Sequence, residues 1–261
     1  TGGAGFIGSH LVDKLLEQRY EVIGIDCFTD YYPRGIKEAN ISNALKKLSL
    51  SGAPPHDPAS PVRAYKKPLP KKNHKNAKFE LIEEDILTMD KFPEVDYIFH
   101  LAAQAGVRAS WGKSFEIYTR NNVEATQKLL EFYKDREIKK FVYASSSSVY
   151  GDAELPMKED SLLKPVSPYG VTKLAGENLC YLYWKNYNVP TVSLRYFTVY
   201  GPRQRPDMGI HKFVKAILEE NEITVFGNGT QTRDFTFVDD AVEANILAAN
   251  NDSVGEVFNV G

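Results

Sequence analysis

The chain has 261 residues, 43% hydrophobic and 12% aromatic, enough to bury the core of one Rossmann-sized lobe with a smaller appendage. A formal net charge of −2 excludes the basic footprint of a nucleic-acid binder and electrostatic docking on an acidic membrane. Cys27 and Cys180 offer neither a metal-ligand spacing nor a disulfide framework, and no run approaches the roughly 18 apolar residues of a membrane span, so free thiols in a cytoplasmic protein are expected.

The chain begins on the turn Thr1-Gly2-Gly3, with no Met and no strand before it, and ends on the strand-like EVFNVG. Residues are therefore expected to be missing from both termini. Gly2-Gly3-Ala4-Gly5-Phe6-Ile7-Gly8 opens a helix near 8–19 and leads to a strand at 22–26. Side chains at those glycines would hold the backbone away from a pyrophosphate, whose charge free N–H groups and the helix dipole can meet. Asp26 lies 18 residues beyond Gly8, at the strand's end. A carboxylate there accepts hydrogen bonds from the adenosine ribose hydroxyls and repels a 2′-phosphate, which favours NAD over NADP.

A helix follows near 36–48. Residues 49–78, rich in proline and lysine with almost no periodic apolar positions, read as a flexible insertion; its lysines could make a docking surface, but a solvated loop accounts for them. Strands are then expected at 79–82, 95–100, 139–145 and 191–196, and helices near 114–134, 169–187, 210–220 and 239–250. This alternation predicts an α/β fold, a Rossmann-type doubly wound parallel sheet with a smaller C-terminal substrate-binding subdomain. We assign 1–196 to the NAD-binding domain and 197–261 to a substrate-binding region cut short at its end, with 234–250 returning to the first.

A dinucleotide site becomes an enzyme only with a group that moves a proton. The strand ending in Ser145-Ser146-Ser147-Ser148 supplies hydroxyls, and Tyr150 follows, yet a Tyr four residues before a Lys on one helix is the better base. Tyr169 and Lys173 fit, because that spacing places an ammonium beside a phenol whose ordinary pKa is about 10. Tyr181 and Lys185 repeat the spacing, but twelve residues rotate them by about 120° and carry them roughly 18 Å along the axis. Tyr169 follows Ser167-Pro168 at the helix mouth, where sheet-end chemistry occurs; Tyr181 suits packing.

TGGAGFIG (1–8), Asp26, HLAA (100–103), the serine run before VYG, and SPYGVTK (167–173) stand in the order that marks the extended short-chain dehydrogenase/reductase family. The chain resembles the nucleotide-sugar epimerases and dehydratases of that family over nearly its whole length, 49–78 apart. The resemblance implies Ser146 as the catalytic hydroxyl at the sugar's O4, Tyr169 as base, and Lys173 holding the nicotinamide ribose, with Tyr150 structural. It implies NAD contacts from Gly2, Gly5, Phe6, Ile7, Gly8, Asp26, Cys27, Phe28, Asp85, Ile86, Leu101, Ala102, Ala103, Asn121, Ala144, Tyr169, Lys173 and Tyr196, although Asn121 could merely interrupt its helix. A homodimer through the helices at 114–134 and 169–187 is also implied.

Which sugar is bound turns on what the serine segment lacks. Family 4,6-dehydratases carry an Asp-Glu pair there, and UDP-xylose-forming decarboxylases a Glu where this chain has Ser148. Their absence leaves 4-epimerisation. UDP-galactose 4-epimerases usually have Asn at the position of Thr198, whereas RYFTVYGPRQRPDM (195–208) and AQAGVR (103–108) resemble UDP-glucuronate 4-epimerases. The expected reaction is UDP-glucuronate to UDP-galacturonate, with substrate contacts at Ser146, Ser147, Ser148, Thr198, Arg205, Thr224, Phe226 and Arg233. Arg203 and Arg108 are weaker candidates. UDP-glucose/UDP-galactose 4-epimerisation is the alternative, followed by UDP-glucuronate decarboxylation and a non-enzymatic dinucleotide-sensing module. The intact Ser146, Tyr169 and Lys173 argue against the last.

Overall fold

The computed structural model describes residues 1–49, 77–225 and 227–261; the insertion read at 49–78 lies almost entirely outside them, as does Phe226. In chain order the elements are α1 (Phe6–Glu17), β1 (Glu21–Asp26), α2 (Arg34–Ser49), β2 (Lys78–Glu83), β3 (Tyr97–His100), α3 (Phe115–Tyr118), α4 (Ala125–Tyr133), β4 (Lys140–Ser146), α5 (Pro168–Tyr187), β5 (Thr191–Tyr196), β6 (Thr198–Tyr200), α6 (Gly209–Leu218), β7 (Phe235–Phe237), α7 (Val238–Asn250) and β8 (Glu256–Val260). A π-helical turn, Thr119–Glu124, joins α3 to α4.

All the strand pairings are parallel, β2 with β1 on one side and β3-β4-β5-β8 on the other. Thr1 and Gly2 lie between the two groups: Gly2 donates its N–H to the Ile25 carbonyl at 2.8 Å, and Leu101 donates to the Thr1 carbonyl at 3.3 Å. The carboxyl ends of β1 and β3 thus flank the glycine turn, the position at which an open α/β sheet reverses direction and opens a crevice. β8, read within the C-terminal region, is the far edge of this main sheet, and α7 packs across α1, β4 and β5.

β4 and β5 are buried along nearly their whole length because helices cover both faces, and their buried polar side chains are hydrogen-bonded, Thr191 to the Cys180 carbonyl and Arg195 to Glu177. On one face Phe141 and Tyr143 join Leu129, Leu130, Tyr133, Cys180 and Tyr183 of α4 and α5. On the other, Val142, Val192 and Leu194 meet Phe6 of α1 and Val238, Ala241 and Ala248 of α7. α5 starts where sequence chemistry requires: Ser167 accepts the Gly170 N–H at 3.1 Å, Pro168 occupies the first turn, and Asn188 ends the helix with φ +56°. One element escaped the sequence reading. β6 and β7 form a separate two-stranded sheet of three residues each, too short for any period to register.

Candidate active site

The crevice at the switch point is lined by the glycine turn, the ends of β1, β3 and β4, and the start of α5. Close packing explains the glycines. A Cβ on Gly2, whose φ is +71°, would lie 2.7 Å from the Ala102 nitrogen, and one on Gly8 would lie 2.0 Å from the Gly2 carbonyl oxygen. Gly5 caps α1 without a side-chain partner, so the first-turn amides of a twelve-residue helix open on the cleft beside Gly2, Gly5, Phe6, Ile7 and Gly8. Asp26 closes the turn, accepting the Ala4 N–H at 3.1 Å and the Phe28 N–H at 2.9 Å. An amide cradle backed by one carboxylate fits a dinucleotide with free ribose hydroxyls.

Cys27, Asp85, Ile86, Leu101, Ala102, Ala103, Asn121, Ala144 and Tyr196 also line this cleft. Although burial works to raise it, the Asp85 carboxyl is held below its ordinary range by the Leu87 N–H and by Arg120, whose Nη2 lies at 2.6 Å. Phe28 is placed differently. It has φ +47° and packs with Ala4 and Ile41 in a small core, below the cleft rather than in its lining, because its own N–H is drawn back to Asp26.

The chemical end of the cleft gathers Tyr169, Lys173, Ser145 and Arg205. Ser146 ends β4 beside them: its Oγ accepts the Ser148 N–H and lies 3.2 Å from the Ser148 hydroxyl. Burial pushes the Tyr169 phenol above its ordinary pKa, while Ser146 and the Arg205 charge pull it down. Lys173 Nζ donates to the Ala144 carbonyl at 2.9 Å, and burial lowers it to about 8. The i, i+4 spacing puts it on the helix face of Tyr169, and the carbonyl at the end of β4 takes one of the three N–H groups of the amine.

Tyr150 is fully buried outside the lining of the cleft; its hydroxyl donates to Asn259 Oδ1 at 2.7 Å and accepts from Arg195 Nη1 at 2.8 Å. Ser145 gives its hydroxyl to Glu177, which forms a buried ion pair with Arg195. Tyr181 is 53% exposed and stacks on Trp184 at 5.4 Å, far round the helix from Tyr169. Thr198 lies on β6, its N–H on the Asp234 carbonyl. Thr224 and Arg233 are exposed, and Arg233 donates to its neighbour Thr232; neither borders the cleft, and Phe226 falls outside the described residues. Arg203 pairs with Asp13 at 2.8 Å.

Several cleft residues left no sequence signal. Thr29, Tyr31, Tyr32 and Lys37 border the mouth, and Lys37 Nζ donates to the Thr29 carbonyl at 2.7 Å. Asn122 accepts the Gln104 N–H at 2.7 Å and donates to the Gln104 carbonyl and to Thr172 Oγ1. It thereby ties the loop after β3 to α5. The π turn lets Asn121 face the cleft while its neighbour Asn122 faces α5, a departure from helical spacing that no pattern of apolar residues announces.

The model of the NAD dependent epimerase/dehydratase family matches residues 1–261. The chain belongs to this family. A protein of Bacillus subtilis (strain 168) described as an uncharacterized UDP-glucose epimerase is 42% identical over 266 residues, spanning all of this chain and 75% of that protein. A UDP-glucuronate 4-epimerase of Thermodesulfobacterium geofontis is 38% identical, with 100% and 73% covered. Among solved structures, the UDP-glucuronic acid 4-epimerase from Bacillus cereus in complex with UDP-glucuronic acid and NAD superposes with a TM-score of 0.85 at 45% identity, over all of this chain and 76% of that one. Among the described residues no helix is long and apolar enough to cross a membrane, and no cluster could hold a metal ion.

Proposed function

We propose that this chain is an NAD-dependent UDP-sugar 4-epimerase whose preferred reaction interconverts UDP-glucuronate and UDP-galacturonate. The observation that carries the reading is the convergence of Tyr169 and Lys173 on a glycine-turn cleft that Asp26 borders, with Ser146 ending the strand beside it, in a chain 45% identical to a UDP-glucuronic acid 4-epimerase. NAD would supply a reversible hydride acceptor for C4 of the sugar. This chain's own residues would do the rest: first-turn amides of α1 would hold the pyrophosphate, Asp26 the adenosine ribose and Lys173 the nicotinamide ribose. Ser146 holds the sugar's O4, and Tyr169 Oη takes the O4 proton and later gives it back.

Ser147, Ser148 and Thr198 are assigned to the C5 carboxylate, which needs donors and few competing acceptors. A 4-keto uronate is a β-keto acid and loses CO₂ when its carboxyl bond aligns with the carbonyl π system; pinning the carboxylate off that alignment preserves it. Thr224, Phe226 and Arg233 are assigned to the nucleotide end, with 197–261 as the substrate-binding region. The name of the Bacillus subtilis relative favours UDP-glucose as the second reading.

A homodimer and a cytoplasmic setting complete the proposal. Phe115 and Ile117 of α3 and Val171, Tyr181 and Leu182 of α5 are exposed apolar side chains on the two helices expected to pair. Cys27 and Cys180 are free thiols, as a reducing compartment keeps them.

The test gives the protein NAD with UDP-glucuronate or UDP-glucose and reads products by proton NMR. UDP-galacturonate should accumulate while UDP-glucose stays nearly inert, and Ser147→Ala/Ser148→Ala should release a pentose product. UDP-galactose as the main wild-type product would remove the carboxylate role, and a wild-type pentose product would replace the reaction type.

A further inference from the structure

His100 ends β3 and is 1% exposed, yet the reaction assigned above makes no use of it. We propose that His100 is a positioning residue: with its proton on Nε2, it pins the glycine turn to the residues after β3 and so keeps the cleft shaped for NAD. This rests on the reading of that cleft as the NAD site.

Both ring nitrogens have partners, Nδ1 at 2.8 Å from Thr1 Oγ1 and Nε2 at 2.9 Å from Thr126 Oγ1. The Thr126 hydroxyl has one proton and gives it to the Asn122 carbonyl at 2.7 Å, so toward His100 it accepts. Nε2 therefore carries the ring proton. With the proton on Nδ1 instead, Nε2 and the Asn122 carbonyl would compete for the single Thr126 proton. Nδ1 is then an acceptor and takes the Thr1 hydroxyl proton, while Thr1 Oγ1 accepts the Ala102 N–H at 3.3 Å. Every donor along this line meets an acceptor. Burial holds the imidazole well below its ordinary pKa, and the charges of the Thr1 amine and Lys173 add to this. Phe141 and Tyr143 of β4 lie against the ring, with centroids at 6.0 and 5.9 Å.

The Thr1 hydroxyl sits where the turn most needs support. The Thr1 amine donates to the Phe99 carbonyl at 2.8 Å, whereas the Leu101 N–H reaches the Thr1 carbonyl at 3.3 Å. The ties to β3 thus lengthen toward the cleft, and the ring acts at the loose end. Packing is tight there: a Cβ on Gly2 would meet the Ala102 nitrogen at 2.7 Å. Gly2, Leu101 and Ala102 all line the cleft, so the spacing of this seam is the spacing of the site. On its far side the ring is anchored through Thr126 to α4. A site defined by close contacts depends on the side chains that fix those contacts from behind.

Amide isosteres separate the two sides of the ring. Asn presents an oxygen near the place of Nδ1, and Gln a nitrogen near that of Nε2. By calorimetry we expect His100→Asn to hold NAD affinity within about twofold of the wild type and His100→Gln to lower it about tenfold. Each variant loses one bond, so their unfolding midpoints should fall alike; a merely structural histidine would make the two alike in affinity as well. Thr1→Val should weaken NAD as far as His100→Gln, and the double variant no further. If the His100 variants do not fold, Thr1→Val carries the affinity test. At neutral pH the ring ¹⁵N spectrum of the wild type, with His100 assigned by the shift of its Nδ1 in Thr1→Val, should show a protonated Nε2 and a bare Nδ1. Equal NAD affinities for the Asn and Gln variants, unchanged affinity in Thr1→Val, or a ring proton on Nδ1 overturns the proposal. A wild type that does not bind NAD overturns it together with the reading of the cleft. A wild type that binds NAD and leaves both UDP-sugars unchanged defeats the epimerase reading alone, and the affinities still decide the role of His100.

Discussion

The two ends of the cleft are built by different means. At the dinucleotide end each contact is made by backbone or by a side chain fixed by backbone: Gly2 and Gly8 cannot carry a Cβ, Asp26 is bonded to the Ala4 and Phe28 amides, and Lys173 to the Ala144 carbonyl. At the sugar end, α6 has no buried residue and leaves Phe213, Val214, Ile217 and Leu218 exposed, while Thr224 and Arg233 lie on an exposed segment. A cofactor common to a whole family rewards a rigid site with short motifs. Sugar recognition rests on side chains from loops whose spacing follows no period.

The sharpest way to test this contrast is to strike the junction of the two ends. Tyr169→Phe should lower turnover by about a thousandfold or more, the scale of a lost acid–base group, while NAD affinity measured by calorimetry changes little. A large loss of NAD affinity would mean that the phenol belongs to the cofactor site rather than to the chemistry.

Next in size is Gly8→Ala. With the Gly2 carbonyl 2.0 Å from the added methyl group, the turn must shift, and a cost of about 1–3 kcal/mol is expected. NAD affinity should fall by about tenfold to a hundredfold, read by equilibrium dialysis. Unchanged affinity would show that the turn is as yielding as the sugar end.

Lys173 gives a stability test with a definite sign. Burial lowers its amine to about 8 from an ordinary 10.5, so the fold disfavours the charged form and the unfolded chain binds the extra proton between those values. The destabilisation is present in full below about pH 8 and is relieved as pH rises toward 10.5. Without NAD, the wild-type unfolding free energy minus that of Lys173→Met should therefore increase across this window, by at most about 3 kcal/mol. A difference that is flat with pH in denaturant titrations would place the amine in water.

Arg233→Ala should have the smallest effect. If the substrate meets this exposed side chain only after binding draws its segment inward, KM for the UDP-sugar rises by about tenfold with kcat nearly unchanged. Identical kinetics would leave the nucleotide end without its arginine.

The residues that sequence reading located best are those whose chemistry depends on neighbours in the chain. TGGAGFIG with Asp26, and Ser167-Pro168-Tyr169 at a helix mouth, are local arrangements, and the structure sets both at the carboxyl ends of the strands. Other details were not local. Phe28, which the resemblance places among the cofactor contacts, turns its amide to Asp26 and its ring into a small core. Lys173, on the helix face of Tyr169, also meets a carbonyl on β4. Spacing fixes which face a side chain occupies, not which partner on another element it also reaches.

By itself, then, the sequence determined the alternating α/β order, the glycine turn that opens α1 and the preference for NAD over NADP. Each follows from residue type and local geometry. Only the tertiary structure decided that Tyr31 and Asp207 meet at the mouth of the cleft and that Asn122 binds the loop after β3 to the helix that carries Tyr169. Those contacts join residues 18 to 176 positions apart. Which loops a folded sheet brings to one edge is set by the packing of its layers, and no local pattern in the chain encodes it.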